Sequence, residues 1–173
     1  VAWLSQTPSA FLIGPTLGDC LSDDLLQSSG LAHLSDCSPK DLSGGETQRA
    51  ALSLVLSGEE QPKVVLLDEP TRGMDHESAK RLVETVTQLS QQGVAVVVAT
   101  HDPEIASLLS SRTVLMGDGV VIADGPTRSI LTGGWHYSTE VSKALGIPGG
   151  PMTASEAAQL LKAAIAEESG VTS

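Results

Sequence analysis

The sequence predicts an α/β fold with a mainly parallel sheet and flanking helices, and three observations carry that prediction. Two short β-branched apolar runs, Lys63 to Leu67 and Val94 to Ala99, have the length and composition of buried parallel strands. Between them, His76 to Gln92 has the apolar spacing of a helix and stops at Gly93. Each run also closes on polar groups, Asp68-Glu69 after the first and His101 after the second. The carboxyl ends of parallel strands are where such folds place their ligands.

In chain order, Val1 to Leu4 reads as a first strand. The loop-rich stretch from Gln6 to Lys40 carries two short helical segments, Thr16 to Gln27 and Ser28 to Leu34, punctuated by Gly and Pro. Glu46 to Ser57 places Ala50, Ala51, Leu54 and Val55 at helical spacing, and Gly58 and Pro62 end it. After the second buried run, Asp102-Pro103 supplies an N-cap and a first-turn proline for a helix through Ser110. Arg112 to Met116 and Val120 to Ala123 flank Asp118-Gly119, the signal of a hairpin forming a small antiparallel edge. Gly133-Gly134 and Gly146 to Pro151 mark a looser tail, with Trp135, His136 and Tyr137 as core or loop anchors. Thr153-x-x-Glu156 opens a last helix through roughly residue 168. Leu160, Leu161, Ala164 and Ile165 make an apolar stripe on it, expected to pack against the chain's own body.

Composition narrows the function classes. The 173 residues are 40% apolar and 18% charged, which suits a soluble globular α/β protein with a real core rather than a disordered tail. A net charge of −11 without a clustered Lys/Arg face argues against a nucleic-acid partner. Cys20 and Cys37 fit no C-x-x-C spacing, so thiols are expected rather than a disulfide or a metal site. The longest apolar run is the strand-length Val94 to Ala99, so any membrane contact must come through a partner.

The chemistry concentrates in two places. Ser43-Gly44-Gly45-Glu46 reads equally as a capping box and as a phosphate-facing helix start, since two glycines let backbone N–H groups approach an anion. At the end of the first buried run, one carboxylate of Asp68-Glu69 can hold Mg²⁺ and the other can polarise a water. Asp75 caps the helix that follows. The sequence contains no G-x-x-x-x-G-K-[ST] loop, and it opens without Met inside a candidate core strand. The expectation is therefore the C-terminal part of a longer protein, binding ATP poorly by itself and leaving apolar sheet surface open.

These pieces together resemble the ATP-binding cassette ATPases, a P-loop NTPase-like fold. Leu42-Ser43-Gly44-Gly45-Glu46 is similar to their signature motif, Val64 to Glu69 to their Walker B strand, Gly73-Met74-Asp75 to their D-loop, His101 to their switch histidine, and Gln6 to their Q-loop. The resemblance covers residues 1–132, a partial cassette with a shortened helical subdomain, and leaves 133–173 as a C-terminal tail. Within the family, Pro39 to Glu46, Asp68 to Asp75 and Lys80 resemble the energy-coupling-factor ATPases that drive vitamin and cobalt uptake.

The resemblance implies a mechanism. Two cassettes, in a homodimer, a heterodimer or one chain, meet head to tail. Ser43, Gly44, Gly45 and Glu46 then contact ATP seated on the partner cassette. Asp68 and Gln6 serve Mg²⁺, Glu69 is general base, His101 stabilises the γ-phosphate, and Asp75 contributes to nucleotide binding. Transmembrane transporter components hold the protein at the cytoplasmic face of the membrane. Two departures stand out: Glu46 replaces the common Gln, and the segment from Gln6 to Leu42, which would meet the membrane partner, is short. Two other readings compete. A non-transport cassette protein would usually bring coiled-coil insertions or basic linkers, and neither is present. A regulatory module with a degenerate site is opposed by the presence of Glu69 and His101.

Overall fold

The computed structural model describes residues 1–58, 60–134 and 137–170. It divides into two compact units, Val1–His101 and Asp102–Ser173.

The first unit is built on a three-stranded parallel sheet in the order β1-β2-β3, with β1 at Ala2–Leu4, β2 at Val64–Asp68 and β3 at Ala95–Ala99. Its register pairs Leu4 with Leu67, and Asp68 with Ala99, so all three strands end at one edge. Strand alternation on the central β2 buries Val65 and Leu67 completely, while Val64 and Leu66 are half-buried. The run read as a second buried strand differs from expectation. β3 lies at the sheet edge and Val97 is 57% exposed, because it stands in register with Leu66 and, through it, with Trp3, itself 57% exposed, on a sheet face that no element covers among the described residues. Apolar sheet surface is thus open, as the sequence led us to expect.

Helices follow local signals. α3 spans Gly44–Leu56 and α4 spans His76–Gln91. α4 buries Leu82, Val86 and Leu89, spaced at one face of a 3.6-residue period. It ends in a Schellman motif: Val94 N–H donates to the Leu89 carbonyl, Gly93 N–H donates to that of Ser90, and Gly93 takes φ 84°. Between β1 and α3 the chain makes α1 (Leu17–Cys20) and α2 (Asp23–Ser28), which divide the first predicted segment at Leu21-Ser22, while the second holds only a 3₁₀ turn at Ala32–Leu34. The reason is capping. Thr16 closes a capping box with Asp19, and the Ser22 hydroxyl accepts from Leu25 N–H, so a new helix starts where one helix was expected to continue. These pieces share a small core of Leu12, Leu17, Leu21, Leu26, Leu31 and Ala50.

In the second unit, α5 (Pro103–Leu109) precedes β4 (Arg112–Gly117) and β5 (Val120–Pro126). The hairpin turns at Asp118 and Gly119, both at positive φ, the signature of a type I′ turn. It forms a separate two-stranded sheet rather than an added edge of the parallel one. Three helices follow, α6 (Thr127–Thr132), α7 (Glu140–Leu145) and α8 (Ala154–Gly170), so the expected loose tail is more ordered than its glycines indicate. Thr153 caps α8, yet Glu156 reaches Met152 N–H and Arg128 instead of closing the predicted box. The apolar stripe on α8 also departs from expectation: Leu160, Leu161 and Ile165 are 44%, 51% and 62% exposed. Tyr137 is 43% exposed and so is no core anchor, while Trp135 and His136 lie outside the described residues. Both cysteines are free thiols.

Candidate functional site

Parallel strands deliver their carboxyl ends to a common edge, and here each delivers a polar residue. Gln6 follows β1 by two positions and is exposed, Asp68 is the half-buried last residue of β2, Glu69 comes next, and His101 follows β3 by two positions. Adjacency of β2 and β3 brings Glu69 and His101 together. The Glu69 carboxylate accepts a hydrogen bond from the His101 backbone N–H at 3.0 Å and lies 2.8 Å from His101 Nδ1. Since an ionised carboxylate can only accept, Nδ1 carries the shared proton and donates. The Glu69 side chain is 16% exposed, whereas the imidazole is 84% exposed.

Glu69 stands in an uncommon backbone conformation, φ 46°, immediately before Pro70. A residue other than glycine in the left-handed region costs of order 1–3 kcal/mol and persists only where neighbours impose it. They do so here through three bonds: Glu69 N–H donates to the Ala99 carbonyl, Arg72 N–H donates to the Glu69 carbonyl, and the side chain is held by His101. Pro70 marks a turn here in the sequence, but not the left-handed conformation of the residue before it.

The second group gathers at the start of α3. Ser43 and Glu46 form the complete capping box: the Ser43 hydroxyl accepts from Glu46 N–H, and the Glu46 carboxylate accepts from Ser43 N–H at 2.8 Å and from its hydroxyl at 2.7 Å. The Ser43 hydroxyl, followed by its backbone N–H, holds the Glu46 carboxyl below its ordinary range. A depressed folded-state value means stability that is present above the unfolded pKa and lost as pH falls through the folded one. Acid melting of the wild type therefore steepens below about pH 4.5. Glu46→Gln, which keeps the acceptor without the titration, flattens that limb, and an unchanged acid limb in the variant would remove Glu46 as its source.

Gly44 and Gly45 face the segment after β2. A Cβ on Gly44 would stand 2.6 Å from the Gly73 carbonyl oxygen, and one on Gly45 would strike Ser78. Asp75 caps α4, accepting from Ser78 N–H at 2.8 Å and from its hydroxyl at 3.1 Å, and these bonds depress its carboxyl. The structure thus sorts the predicted residues into two groups. Gln6, Asp68, Glu69 and His101 belong to the sheet edge, while Ser43, Gly44, Gly45, Glu46 and Asp75 belong to the meeting of two helix starts. Ser78 was missed, as was the contact of Gly73, read as part of the D-loop-like segment, with Gly44; Ser three positions after an Asp cap was the available signal for Ser78.

The hard oxygen donors of Asp68 and Gln6 match what Mg²⁺ takes. Among the described residues no group of three or more His, Cys, Asp or Glu forms a metal cluster, so these two would leave most of the shell to substrate oxygens and water, the usual habit of this ion.

A parallel sheet with acidic and histidine residues at its carboxyl edge, and a glycine-rich helix start packed on the segment that follows β2, defines the class: an α/β fold of the kind that takes its ligands at the carboxyl ends of its strands. A family profile described as "AAA domain, putative AbiEii toxin, Type IV TA system" matches residues 37–107. The chain is 36% identical to a "Putative ABC transporter ATP-binding protein" of Clostridium tetani over 94% of its own length and 40% of the relative's. It is 33% identical to the "Energy-coupling factor transporter ATP-binding protein EcfA" of Methanosphaera stadtmanae over 64% of this chain and 39% of that protein. Among solved structures, cbiO1 from Clostridium perfringens, part of the ABC transporter complex cbiONQ, superposes with a TM-score of 0.61 at 27% identity, over 75% of this chain and 58% of that one. The dimeric post-hydrolysis state of the ATP-binding cassette MJ0796, bound to ADP and Pi, superposes at 0.53 with 28% identity, over 60% and 44%. The fold is that of the ATP-binding cassette ATPases, and the relatives it matches are ATP-binding proteins of ABC transporters. It spans 40% of the Clostridium tetani relative and 39% of the Methanosphaera stadtmanae one.

Proposed function

We propose that the chain is the signature and Walker B part of an ATP-hydrolysing subunit that powers an energy-coupling-factor importer of vitamins or cobalt. The observation that carries this reading is the Glu69–His101 pair at the carboxyl edge of the sheet, 2.8 Å apart, with Glu69 held in a left-handed conformation. In the proposed reaction Glu69 accepts the proton of the attacking water, and His101 orients that carboxylate through Nδ1 while standing exposed toward the γ-phosphate. Asp68, with Gln6, serves Mg²⁺, whose charge eases phosphoryl transfer when MgATP is bound. Ser43, Gly44, Gly45, Glu46 and Asp75 complete the site on a second cassette, with the first-turn amides of α3 toward phosphate.

The dimeric cassette and the cbiONQ component among the structural neighbours support a cassette pair working with membrane components. No helix among the described residues is long and apolar enough to cross a membrane, so in this reading the subunit sits on the membrane surface through those partners. The identity to EcfA and the structural likeness to cbiO1 support the choice of importer. The test is MgATP turnover by the full gene-encoded protein beside the 173-residue chain. Turnover by the former alone is expected. Absence of turnover in both, with nucleotide bound, would turn the reading toward a regulatory module.

A further inference from the structure

Two explanations exist for the second glycine at the start of α3. Either a side chain there would keep a phosphate away, or it would keep a neighbouring element away. The structure separates them. Gly44 is exposed at the helix tip, whereas Gly45 is buried. A Cβ built on Gly45 overlaps the Ser78 hydroxyl and comes within 2.7 Å of the Ser78 Cβ. Ser78 cannot swing aside cheaply: it is itself 8% exposed, and its N–H and hydroxyl both bond the Asp75 carboxylate, locking the first turn of α4.

We infer that Gly45 is a seam glycine whose missing side chain serves contact with α4, and that Ser78 is a positioning residue for the first turn of α3. The seam has two rivets, Gly44 against the Gly73 carbonyl and Gly45 against Ser78. Through it the capping box of Ser43 and Glu46 and the Asp75 cap are joined in one element, so the two helix starts keep a fixed spacing. A shift of a few tenths of an ångström at Ser78 moves the α3 amides by a like amount. Positioning errors of this kind are costly in phosphoryl transfer, which depends on placement. The inference rests on the nucleotide reading only for its consequence; the seam itself is a packing statement.

A second-site rescue in the full gene-encoded protein tests it, with melting temperature and steady-state MgATP turnover as readouts. Gly45→Ala overpacks the seam, lowering the melting temperature and cutting turnover on the order of tenfold or more. Adding Ser78→Gly, which removes both clashing atoms, restores both readouts most of the way. Adding Ser78→Ala instead, which retains the Cβ, restores less of each. Gly45→Ala that melts like wild type, or a Gly45→Ala/Ser78→Gly double variant as inactive as Gly45→Ala, would overturn the inference and return Gly45 to phosphate approach. Recovery of melting without recovery of turnover would overturn the positioning role of Ser78. If the wild type turns over no ATP, the nucleotide reading has failed, while the melting series still decides the seam.

Discussion

Glu69→Gln in the full gene-encoded protein lowers MgATP turnover by roughly 10²–10⁴-fold, the usual contribution of a positioned general base, while nucleotide stays bound. The expectation follows from what the substitution leaves in place. Gln is nearly isosteric, its amide oxygen can still accept from the His101 backbone N–H, and the left-handed turn at position 69 is held by the Ala99 and Arg72 backbone bonds as well. Only the capacity to take a proton from water is lost. Single-turnover measurements with radiolabelled ATP read the step directly: the variant retains ATP where the wild type releases ADP and phosphate. Turnover within threefold of wild type would remove Glu69 from the role of base. His101→Ala separates orientation from basicity, since it removes the imidazole contact while the backbone N–H at position 101 still donates to the carboxylate.

Much of this site was legible in the sequence because its residues sit at the ends of periodic segments. Asp68-Glu69 and His101 each close a β-branched run, and parallel pairing puts such ends at one edge. Their contact was not legible, because it needs the order β1-β2-β3, and periodicity does not report which strands are neighbours. The capping box of Ser43 and Glu46 was read from spacing alone, whereas the seam of Gly45 with Ser78 joins two helices whose packing has no local signal. The two failures of burial have the same origin. Val94 to Ala99 and the α8 stripe have the composition of buried segments, but burial is a property of what lies opposite. The sheet face that carries Trp3 and Val97 is uncovered, and Leu161 stands 51% exposed. The small helices before α3 failed differently: a helical window was read through Leu21, where Ser22 in fact recaps the chain.

Leu67→Ala lowers unfolding free energy by about 2–5 kcal/mol, as truncations of fully buried leucines do. Leu67 is 2% exposed on the central strand, with Leu4 beside it on β1 and Val98 on β3, so the hole it leaves is walled on both sides by sheet and closes poorly. Against a total stability of about 5–15 kcal/mol, that loss takes a large share of the native population. Val97→Ala removes two carbons rather than three, from a side chain already 57% exposed, and changes stability by no more than about 0.5 kcal/mol. Urea unfolding of both variants of the full protein, at matched slope, gives the comparison. Equal midpoints would mean that β2 is not the centre of the sheet. A selective loss in Leu67→Ala has a functional side as well, because Asp68 and Glu69 continue the same strand. The strain at Glu69 is tolerated only while β2 and β3 stay in register, so weakening Leu67 should expose the carboxylate turn to local opening before the sheet itself melts. Faster amide exchange at Glu69 and His101 than at Val65, in Leu67→Ala relative to wild type, is the measurement that reads this order.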